Sequence, residues 1–378
     1  MDYLVLTKVH GAILGPISQI LGWILNVLVT FTNSFGVLNI GLSIILFTLV
    51  VKLLMFPMTI KQQKASKLMA VMQPELQAIQ AKYKGKKDND SMMKMNVETK
   101  AVYEKYGTSM TGGCLQLVIQ MPILFALYRV IYCIPAYVMP VKEHFMNVVY
   151  ALTGTSSASA LSEGAAANLL QFATDHNISL TGINPIGDLT GVTGEALANK
   201  MVDILYKLNP AQWGDLAQAF PNAADVISNN AATIEKMNTF LGINLASNPF
   251  NGSFVPSLAW LIPILAGLTQ YASTKLMMAT QPKKNNEEDM SSQMMQSMNV
   301  TMPLMSVFFC FTFPAAIGIY WVASSTFQLL QQLVVNSYLN KVDMDELIRK
   351  NVEKANKKRA KKGLPPQKVN QNATASLK

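Results

Sequence analysis

Residues 38–57 read LNIGLSIILFTLVVKLLMFP, a run of 20 residues in which Lys52 is the one charged side chain. A run of about 20 apolar residues is long enough to cross the hydrocarbon core of a bilayer as a helix. A charged side chain inside such a run either reaches towards the interface or faces a water-filled space within a helix bundle. The stretch therefore predicts a membrane-spanning helix that carries a cation roughly 7.5 Å of helix rise from one end.

The composition of the whole chain also indicates a membrane protein. Of its 378 residues, 50% are hydrophobic and only 14% are charged, although the net charge is +9. Soluble domains usually carry about 25% charged residues, so a basic DNA-binding protein is excluded and no DNA partner is expected. The three cysteines lie in apolar runs, and no metal, phosphate-loop or nucleophile motif can be assembled. We therefore expect neither an enzyme nor a bound metal or cofactor.

Further apolar runs predict an all-α polytopic membrane protein. Its fold is expected to be a five-helix transmembrane bundle, with spans at residues 38–57, 114–138, 258–278, 299–314 and 315–336. In the N-terminal region, residues 1–37, an apolar stretch at 12–31 is interrupted by Pro16 and several polar residues. We interpret this stretch as a helix lying in the membrane interface, with a sixth span as the alternative.

Charge orients the predicted spans. Residues 59–113 carry ten Lys against five acids, and the tail at residues 337–378 carries eleven Lys and Arg against four acids. Residues 139–257 carry four Lys against nine acids. The positive-inside rule therefore places the hairpin region 58–113, the loop 279–298 and the tail in the cytoplasm, with the N-terminus outside. Residues 139–257 are then external, and helical patterns at 164–174, 195–208 and 223–240 predict a small helical domain there.

The region between the first two spans has the pattern of a helical hairpin. Apolar residues recur every three or four positions from residue 61 to 84, residues 85–90 form a turn, and Ser91 is expected to cap a second helix. Pro74 is expected to kink the first helix. The hairpin is either a solvated spacer or a docking arm, whose Lys residues meet acidic lipid headgroups or ribosomal RNA while its Met residues adapt to apolar partners. The candidate docking residues are Met69, Met72, Lys82, Lys84, Lys86 and Lys87.

Several predicted spans carry polar residues on one face. Thr48 lies four residues before Lys52 and shares its helix face, and Gln116 and Gln120 repeat this spacing in the second span. Each polar residue alone can make an interhelical hydrogen bond. Together with a lone cation they predict a hydrated cavity inside the bundle. The candidate lining residues are Lys52, Thr48, Gln120, Gln116, Tyr320, Trp321, Ser324 and Gln328.

Five short motifs occur in a recognisable order. They are GGC at 112–114, IQMPI at 119–123, MP at 302–303, FP at 313–314 and IYW at 319–321. With the deep cation and the basic hairpin, this order resembles the YidC/Oxa/Alb membrane protein insertases, and in particular the Gram-positive five-span type. The resemblance covers roughly residues 20–138 and 240–340.

The resemblance implies a membrane protein insertase and chaperone in a bacterial cell membrane. Its hydrophilic groove would open to the cytoplasm and to lipid, accept a hydrophobic segment of a nascent protein and release it laterally, alone or with the Sec translocon. Lys52 matches the family's groove arginine, Thr48 its neighbour, Gln120 the groove glutamine, and Trp321 with Tyr320 the aromatic position that meets substrate. Implied partners are nascent membrane proteins, the ribosome, the Sec translocon and anionic phospholipids.

The chain departs from the family pattern at three places. Lys replaces Arg at position 52, and Lys can lose its proton in a low-dielectric setting whereas Arg stays charged. Ala315-Ala316 stands where Ser-Gly is more usual, and the external segment is much longer than in Gram-positive relatives.

Two other functions remain open on the residues alone. A secondary transporter or small-solute channel would also carry intramembrane polar residues, but we find no internal repeat and only one deep cation. The other alternative is a scaffold for the assembly of one complex.

Overall fold

The structure is a computed structural model that describes residues 11–86, 88–108, 112–178, 180, 186, 189–250, 256–279, 290–361, 363 and 365–366; at 112–120, 278–279 and 290–299 it describes the backbone alone. The described residues form thirteen α-helices and one small antiparallel hairpin, which confirms the predicted all-α class. The helices are α1 Leu14–Ser34, α2 Ile40–Lys82, α3 Asn89–Tyr106, α4 Gly112–Tyr132, α5 Met139–Thr153, α6 Ala167–Asp175, α7 Gly194–Leu205, α8 Pro210–Ala219, α9 Ala224–Asn238, α10 Leu261–Ala279, α11 Met290–Thr312, α12 Ala315–Asn340 and α13 Met344–Ala360.

Short 3-10 helices occupy Ile134–Ala136, Ala158–Ala160, Pro221–Ala223 and Leu258–Trp260. The two strands, β1 Thr239–Phe240 and β2 Ile243–Asn244, pair Thr239 with Asn244 and Phe240 with Ile243. Leu241 and Gly242 between them both have positive φ, as a tight two-residue hairpin turn requires.

The helix that begins in the first predicted span does not end with it. α2 is 43 residues long and continues through Pro57 and Pro74 into the predicted hairpin. The residues after Pro57 are mostly good helix formers such as Lys, Gln, Ala, Leu and Met, and these sustain the helix. The second hairpin helix is capped by Asp88, whose side chain accepts a hydrogen bond from the Ser91 backbone N–H. The prediction that Ser91 is the cap is therefore wrong: α3 begins at Asn89, so Ser91 lies inside its first turn.

Other helix ends also differ from the predicted boundaries. α4 ends at Tyr132, before the predicted end of the second span at residue 138, and α5 begins at Met139 with a proline in its first turn. α11 begins at Met290, inside the predicted loop 279–298. Within the described residues, α1 and α2 are the two helices long and apolar enough to cross a membrane. The helix predicted at 12–31 therefore forms, and its length suits a spanning helix as well as an interfacial one.

Contacts divide the chain into two compact units. Unit 1 comprises residues 1–50, 121–267 and 304–324, and unit 2 comprises residues 51–120, 268–303 and 325–378. In unit 1, helices α5 to α9 surround a core that contains Phe145, Leu197, Met201, Trp213 and Ile227. The helices predicted at 164–174, 195–208 and 223–240 correspond to α6, α7 and α9, whereas α5, α8 and the β-hairpin were not predicted.

Polar contacts tie this helical part of unit 1 to the starts of two long helices. The Asn39 side chain accepts from the Leu42 backbone N–H at 3.1 Å, at the start of α2, and donates to the Thr239 carbonyl of β1 at 2.8 Å. The backbone N–H groups of Ala315 and Ala316 donate to the carbonyls of Ser247 and Leu245, at 2.9 and 3.0 Å. These bonds satisfy N–H groups that the first turn of α12 would otherwise leave free.

In unit 2, the second half of α2, α3 and α13 form a three-helix module. Their buried apolar residues make one cluster, to which α2, α3 and α13 all contribute: Leu68, Val71, Met72, Leu76, Val102, Tyr106, Ile348 and Val352. The predicted hairpin thus forms, and part of the predicted basic tail packs against it as a helix.

Candidate functional site

Thr48 and Lys52 lie one turn apart on α2, as the sequence predicts, but their side chains differ in environment. Thr48 is only 1% exposed, and its hydroxyl donates to the Ile44 carbonyl of its own helix at 2.6 Å. Such back-bonding satisfies a threonine hydroxyl without any partner from another helix. Lys52 is half-buried, and no ion pair to its ammonium is found in the described part of the chain. Among the described residues, the Lys52 ammonium therefore has no carboxylate partner.

Within unit 2, polar side chains link α2 to α12 at three levels. The Gln331 side chain donates to the Lys52 carbonyl at 2.8 Å, Gln63 donates to Gln332, and Lys67 donates to Asn340 at 2.8 Å. We call these three contacts the amide ladder. Gln332 is 6% exposed and Gln63 is half-buried, so their bond is partly buried. The ladder holds the backbone of the Lys52 turn against α12. Gln328, the predicted site residue in the unit 2 part of α12, is half-buried three residues before Gln331.

Within unit 1, the predicted aromatic position belongs to a row of rings. Trp321 is half-buried and stacks on Phe309 at 6.2 Å between centroids, and Phe309 stacks on Phe313 at 5.7 Å. Phe313 in turn meets Tyr128 of α4 edge to face at 5.3 Å. Such ring pairs stabilise one another beyond the area they bury. Trp321 is therefore the half-exposed end of an apolar wall that α4, α11 and α12 build together.

Tyr320 and Ser324 complete the predicted α12 residues of unit 1. Tyr320 is 8% exposed, and its hydroxyl is hydrogen bonded to Ser324 one turn along the helix. Gln116 and Gln120 belong to α4, but their side chains lie outside the described residues, so their place in the groove stays a prediction. Lys87 of the hairpin also lies outside the described residues.

The candidate docking residues of the hairpin separate into buried and exposed ones. Met72 is fully buried in the three-helix module, so its prediction as a docking residue is wrong: it packs against the neighbouring helices. Met69 is half-buried, and Lys82, Lys84 and Lys86 are exposed. Lys82 pairs with Glu98 of α3 at 2.5 Å, and Lys86 lies over the Tyr83 ring. Hydrogen bonds from Lys82 and Tyr83 lower the pKa of the Glu98 carboxyl.

A buried ion pair joins the two hairpin helices. The Lys105 ammonium, whose side chain is 9% exposed, binds both oxygens of Glu75 at 2.8 and 3.0 Å, and the Tyr106 hydroxyl donates to Glu75 at 2.7 Å. Burial, together with this carboxylate, raises the pKa of Tyr106. Neither Glu75 nor Lys105 belongs to a recognisable sequence motif, although Lys105 lies three residues after Val102, on the buried face of α3.

The tail helix α13 also caps α3. Asn351 donates its side-chain N–H to the Tyr106 carbonyl at 2.9 Å, at the point where α3 ends. Gly107 follows with φ of 70°, and a Cβ there would lie 2.9 Å from the Asn351 Cγ. Glycine thus permits both the left-handed turn and the close approach of α13.

Within the described residues, no group of three or more His, Cys, Asp or Glu side chains is placed to hold a metal ion.

Comparison with known proteins links these features to one family. A family model described as 60Kd inner membrane protein matches residues 30–160 and 218–342. Membrane protein insertase YidC of Oceanobacillus iheyensis is 27% identical over 307 residues, which are 81% of this chain and 78% of that protein. Membrane protein insertase MisCA of Bacillus subtilis is 24% identical over 311 residues, 82% of this chain and 76% of that protein. Membrane protein insertase YidC 2 of Listeria innocua is 24% identical over 356 residues, 92% and 82% of the two chains.

Proposed function

The chain belongs to the 60Kd inner membrane protein family as a membrane protein insertase of the Gram-positive YidC type, not an enzyme, and we propose that Lys52 is the cation that receives its substrates. Its clients are nascent membrane proteins, and its place is a bacterial membrane. The observation that carries the proposal is a half-buried lysine inside an otherwise uncharged stretch, with its carbonyl held by the amide ladder and its ammonium left without a carboxylate in the described residues. Among the relatives we compared, nothing supports a transporter or channel.

In the proposed mechanism, a polar substrate tail enters the membrane where it meets water and charge. Burying such a tail in hydrocarbon is costly, and a hydrated groove lined by the predicted polar residues shortens the apolar distance that the tail must cross. The Lys52 ammonium attracts acidic residues in the tail. Trp321 and the aromatic row offer an apolar surface to the hydrophobic segment that follows. The segment then leaves sideways into lipid, and its burial there supplies the free energy of insertion.

The charge of Lys52 can be tested with paired substrates. A cation and a carboxylate 4 Å apart attract by ~1 kcal/mol in water and ~4 kcal/mol in a partly buried setting. Lys52→Gln should therefore slow insertion of substrates with acidic tails by roughly fivefold or more, while neutral tails insert as before. Lys52→Arg should retain both activities. Lys61→Gln, an exposed lysine nine residues along the same helix, is the matched control. Equal effects of Lys52→Gln on acidic and neutral tails would remove Lys52 from the mechanism.

The contact of substrate with the aromatic row can be tested by crosslinking. A photo-crosslinking residue at position 321 should capture ribosome-bound chains that carry one hydrophobic segment, because Trp321 is half-exposed at the end of the row. The same residue at position 317, where Ile317 is 3% exposed one turn earlier, should give few adducts. Equal capture at both positions would contradict a specific substrate contact.

We further propose the topology predicted by charge, with five spans, the hairpin and the tail in the cytoplasm, and the helical part of unit 1 on the outer side. The support is the charge asymmetry: the basic regions 59–113 and 337–378 oppose the acidic region 139–257. Labelling of single cysteines from either side of intact cells tests it: Lys86→Cys should react from inside and Asn229→Cys from outside. Position 20 on α1, where Ile20 is exposed, distinguishes an interfacial from a spanning helix.

The three-helix module is the proposed docking surface for ribosomes and anionic phospholipids, and the insertase acts alone or with the Sec translocon. The packing of α13 turns Lys350, Lys354 and Lys357 outwards, because its buried face consists of Ile348, Val352 and Ala355. Two truncations separate charge from packing. Deletion of residues 357–378 removes basic residues and keeps the buried face, whereas deletion of 343–378 removes both. Ribosome or vesicle binding should weaken in both, with a reduced dependence on salt. An unchanged salt profile in both would refute this role.

A further inference from the structure

Unit 1 contains a large open cavity that the proposed insertion mechanism does not use. The cavity has a volume of about 860 Å³. Its walls come from α5, α7, α8 and α9, from the segment after β2, and from the ends of three long helices at Ile40, Ile131 and Ala316. Ligand-binding clefts commonly occupy roughly 300–1,000 Å³. None of the predicted substrate residues lines this cavity, so it is a separate candidate site.

The polar lining of the cavity consists mainly of side-chain amides. Each amide offers two donors and a carbonyl acceptor. A polypeptide backbone offers one donor and one acceptor at every residue, so an amide-rich surface can bind an extended chain whatever its side chains. Among the described lining residues, Lys207 and Glu235 are the one cation and the one anion, which favours an uncharged ligand over a phosphate or a polyamine. Of the six lining amides, Asn209, Gln212 and Asn244 already accept hydrogen bonds from backbone N–H groups of the protein. Within the described residues, this leaves the side chains of Asn177, Asn238 and Asn248 for a ligand.

One of these amides has no side-chain hydrogen bond within the described residues. Asn238, the last residue of α9, is 6% exposed and lines the cavity. Its backbone carbonyl accepts from the Leu245 N–H at 2.8 Å, but within the described residues its side chain makes no hydrogen bond. Its amide lines the cavity and can donate to and accept from a ligand there.

The apolar wall suits alternate side chains of an extended chain. Phe145 lies between two other rings of this wall. Its ring centroid is 5.7 Å from that of Tyr206, edge to face, and 6.1 Å from that of Trp213, at a tilt. Phe145 and Trp213 are buried and back this wall, whereas Tyr206 is half-buried and is the ring that a ligand can touch. Successive side chains of an extended peptide point in opposite directions, so one set can rest against Tyr206 while the other points to solvent.

We propose that this cavity binds an extended, uncharged stretch of substrate polypeptide after that stretch has crossed the membrane. The proposal rests on the insertase topology above, which puts residues 139–257 on the outer side. The ends of α2, α4 and α12 that lie in unit 1 line the cavity at Ile40, Ile131 and Ala316, so a tail emerging beside these helices passes close to it. Bound there, the tail cannot slip back, and long polar tails are translocated more efficiently than the groove alone allows.

Crosslinking can detect the bound tail. A photo-crosslinking residue replaces Ala232, an exposed lining residue of α9, and the control replaces Asn229, which is exposed on the same helix but does not line the cavity. At about 3.3 Å per residue, a tail needs roughly ten residues to cross a 30 Å hydrocarbon core. Uncharged tails of about 30 residues should crosslink at position 232 several-fold more than at 229, and tails of about eight residues should crosslink at neither.

Three outcomes overturn the proposal. The first is capture of substrate at position 321 with no tail adduct at 232, which leaves the insertase mechanism intact. The second is an adduct at 232 that is the same size with and without the tail, which would identify a lipid or a glycan as the occupant. The third is loss of adducts at both 321 and 232, which would contradict the proposed function as well.

Filling the cavity gives an independent test. Ser228→Trp and Ala232→Trp place a ring into the cavity from exposed positions of α9. Asn229→Trp, at an exposed position of the same helix that does not line the cavity, is the control. Insertion of the substrate with the long tail should fall several-fold in the two cavity variants. The short-tail substrate should insert as in the unchanged protein. An equal loss for both substrates, or no loss for either, would refute tail binding.

Discussion

Docking of α13 on the hairpin depends on a few buried side chains, and Ile348 is the most enclosed of them. It is 1% exposed and packs in the cluster that includes Leu68 and Val102. Replacing a buried Ile by Ala costs roughly 2–5 kcal/mol, and the low end applies where neighbours can close the gap. In a module of three helices we expect about 2–3 kcal/mol. Since about 1.4 kcal/mol changes an equilibrium tenfold, Ile348→Ala should raise the open fraction of α13 about 30- to 150-fold.

Hydrogen exchange measures this opening directly. In the full chain reconstituted in lipid nanodiscs, amides of residues 344–360 should exchange faster by that factor in Ile348→Ala, because exchange requires local opening. Arg349→Ala, the next residue, changes an exposed side chain and should leave the rates within about twofold. Amides of α5 should keep their rates in both variants. If the two variants exchange alike in α13, the helix is not held by its buried face and the packing argument fails.

Three further perturbations follow from the same contacts. Glu75→Gln removes the carboxylate partner of the Lys105 ammonium and should destabilise the hairpin by about 2–3 kcal/mol. The double variant Glu75→Gln with Lys105→Met should recover most of that stability. The rate of proteolysis at the turn 85–90 measures both effects. The pKa of Glu98 is lower in the folded protein, so the ionised carboxylate stabilises the hairpin above the ordinary pKa of 4.5, and this stabilisation is lost as the pH falls below that value. Hydrogen exchange in α3 should therefore accelerate at low pH in the unchanged protein, and Glu98→Gln should not show this acceleration. Gly41→Ala puts a Cβ 2.4 Å from the Phe240 Cγ and 2.6 Å from its Cβ, and it should cost about 1–3 kcal/mol, measured as a lowered thermal midpoint.

The hairpin was predictable because its information is local. Apolar residues spaced three and four apart between residues 61 and 84 predicted a buried stripe, and Leu68 and Leu76 lie in the buried cluster. The same periodicity could not tell which buried positions face a third helix, so Met72 was assigned to a docking surface. α13 was missed because its apolar stripe is short and lies among eleven basic residues of the tail, whose charge dominates the pattern.

The candidate site was predictable only as far as one helix at a time. The common face of Thr48 and Lys52 follows from helix geometry, but the bond from Thr48 to its own helix does not. From the sequence, Gln331 and Gln332 could equally well line a groove or make hydrogen bonds between helices. In the structure they make hydrogen bonds to Lys52 and Gln63 of α2. The row from Trp321 to Tyr128 needs three helices, and no period in a sequence records which residues of separate helices meet.

The packing of α13 also changes how the positive charge of the chain should act. Charges on one rigid module add their fields within a Debye length of about 8 Å at physiological salt, whereas charges on a free tail do not. Ile348→Ala removes no charge and Arg349→Ala removes one. If a preformed basic surface is what ribosomes or anionic vesicles bind, Ile348→Ala should weaken binding more than Arg349→Ala does. If charge alone decides, the order should reverse. Comparing the two variants therefore tells whether binding depends on the packing of α13 or on its charge alone.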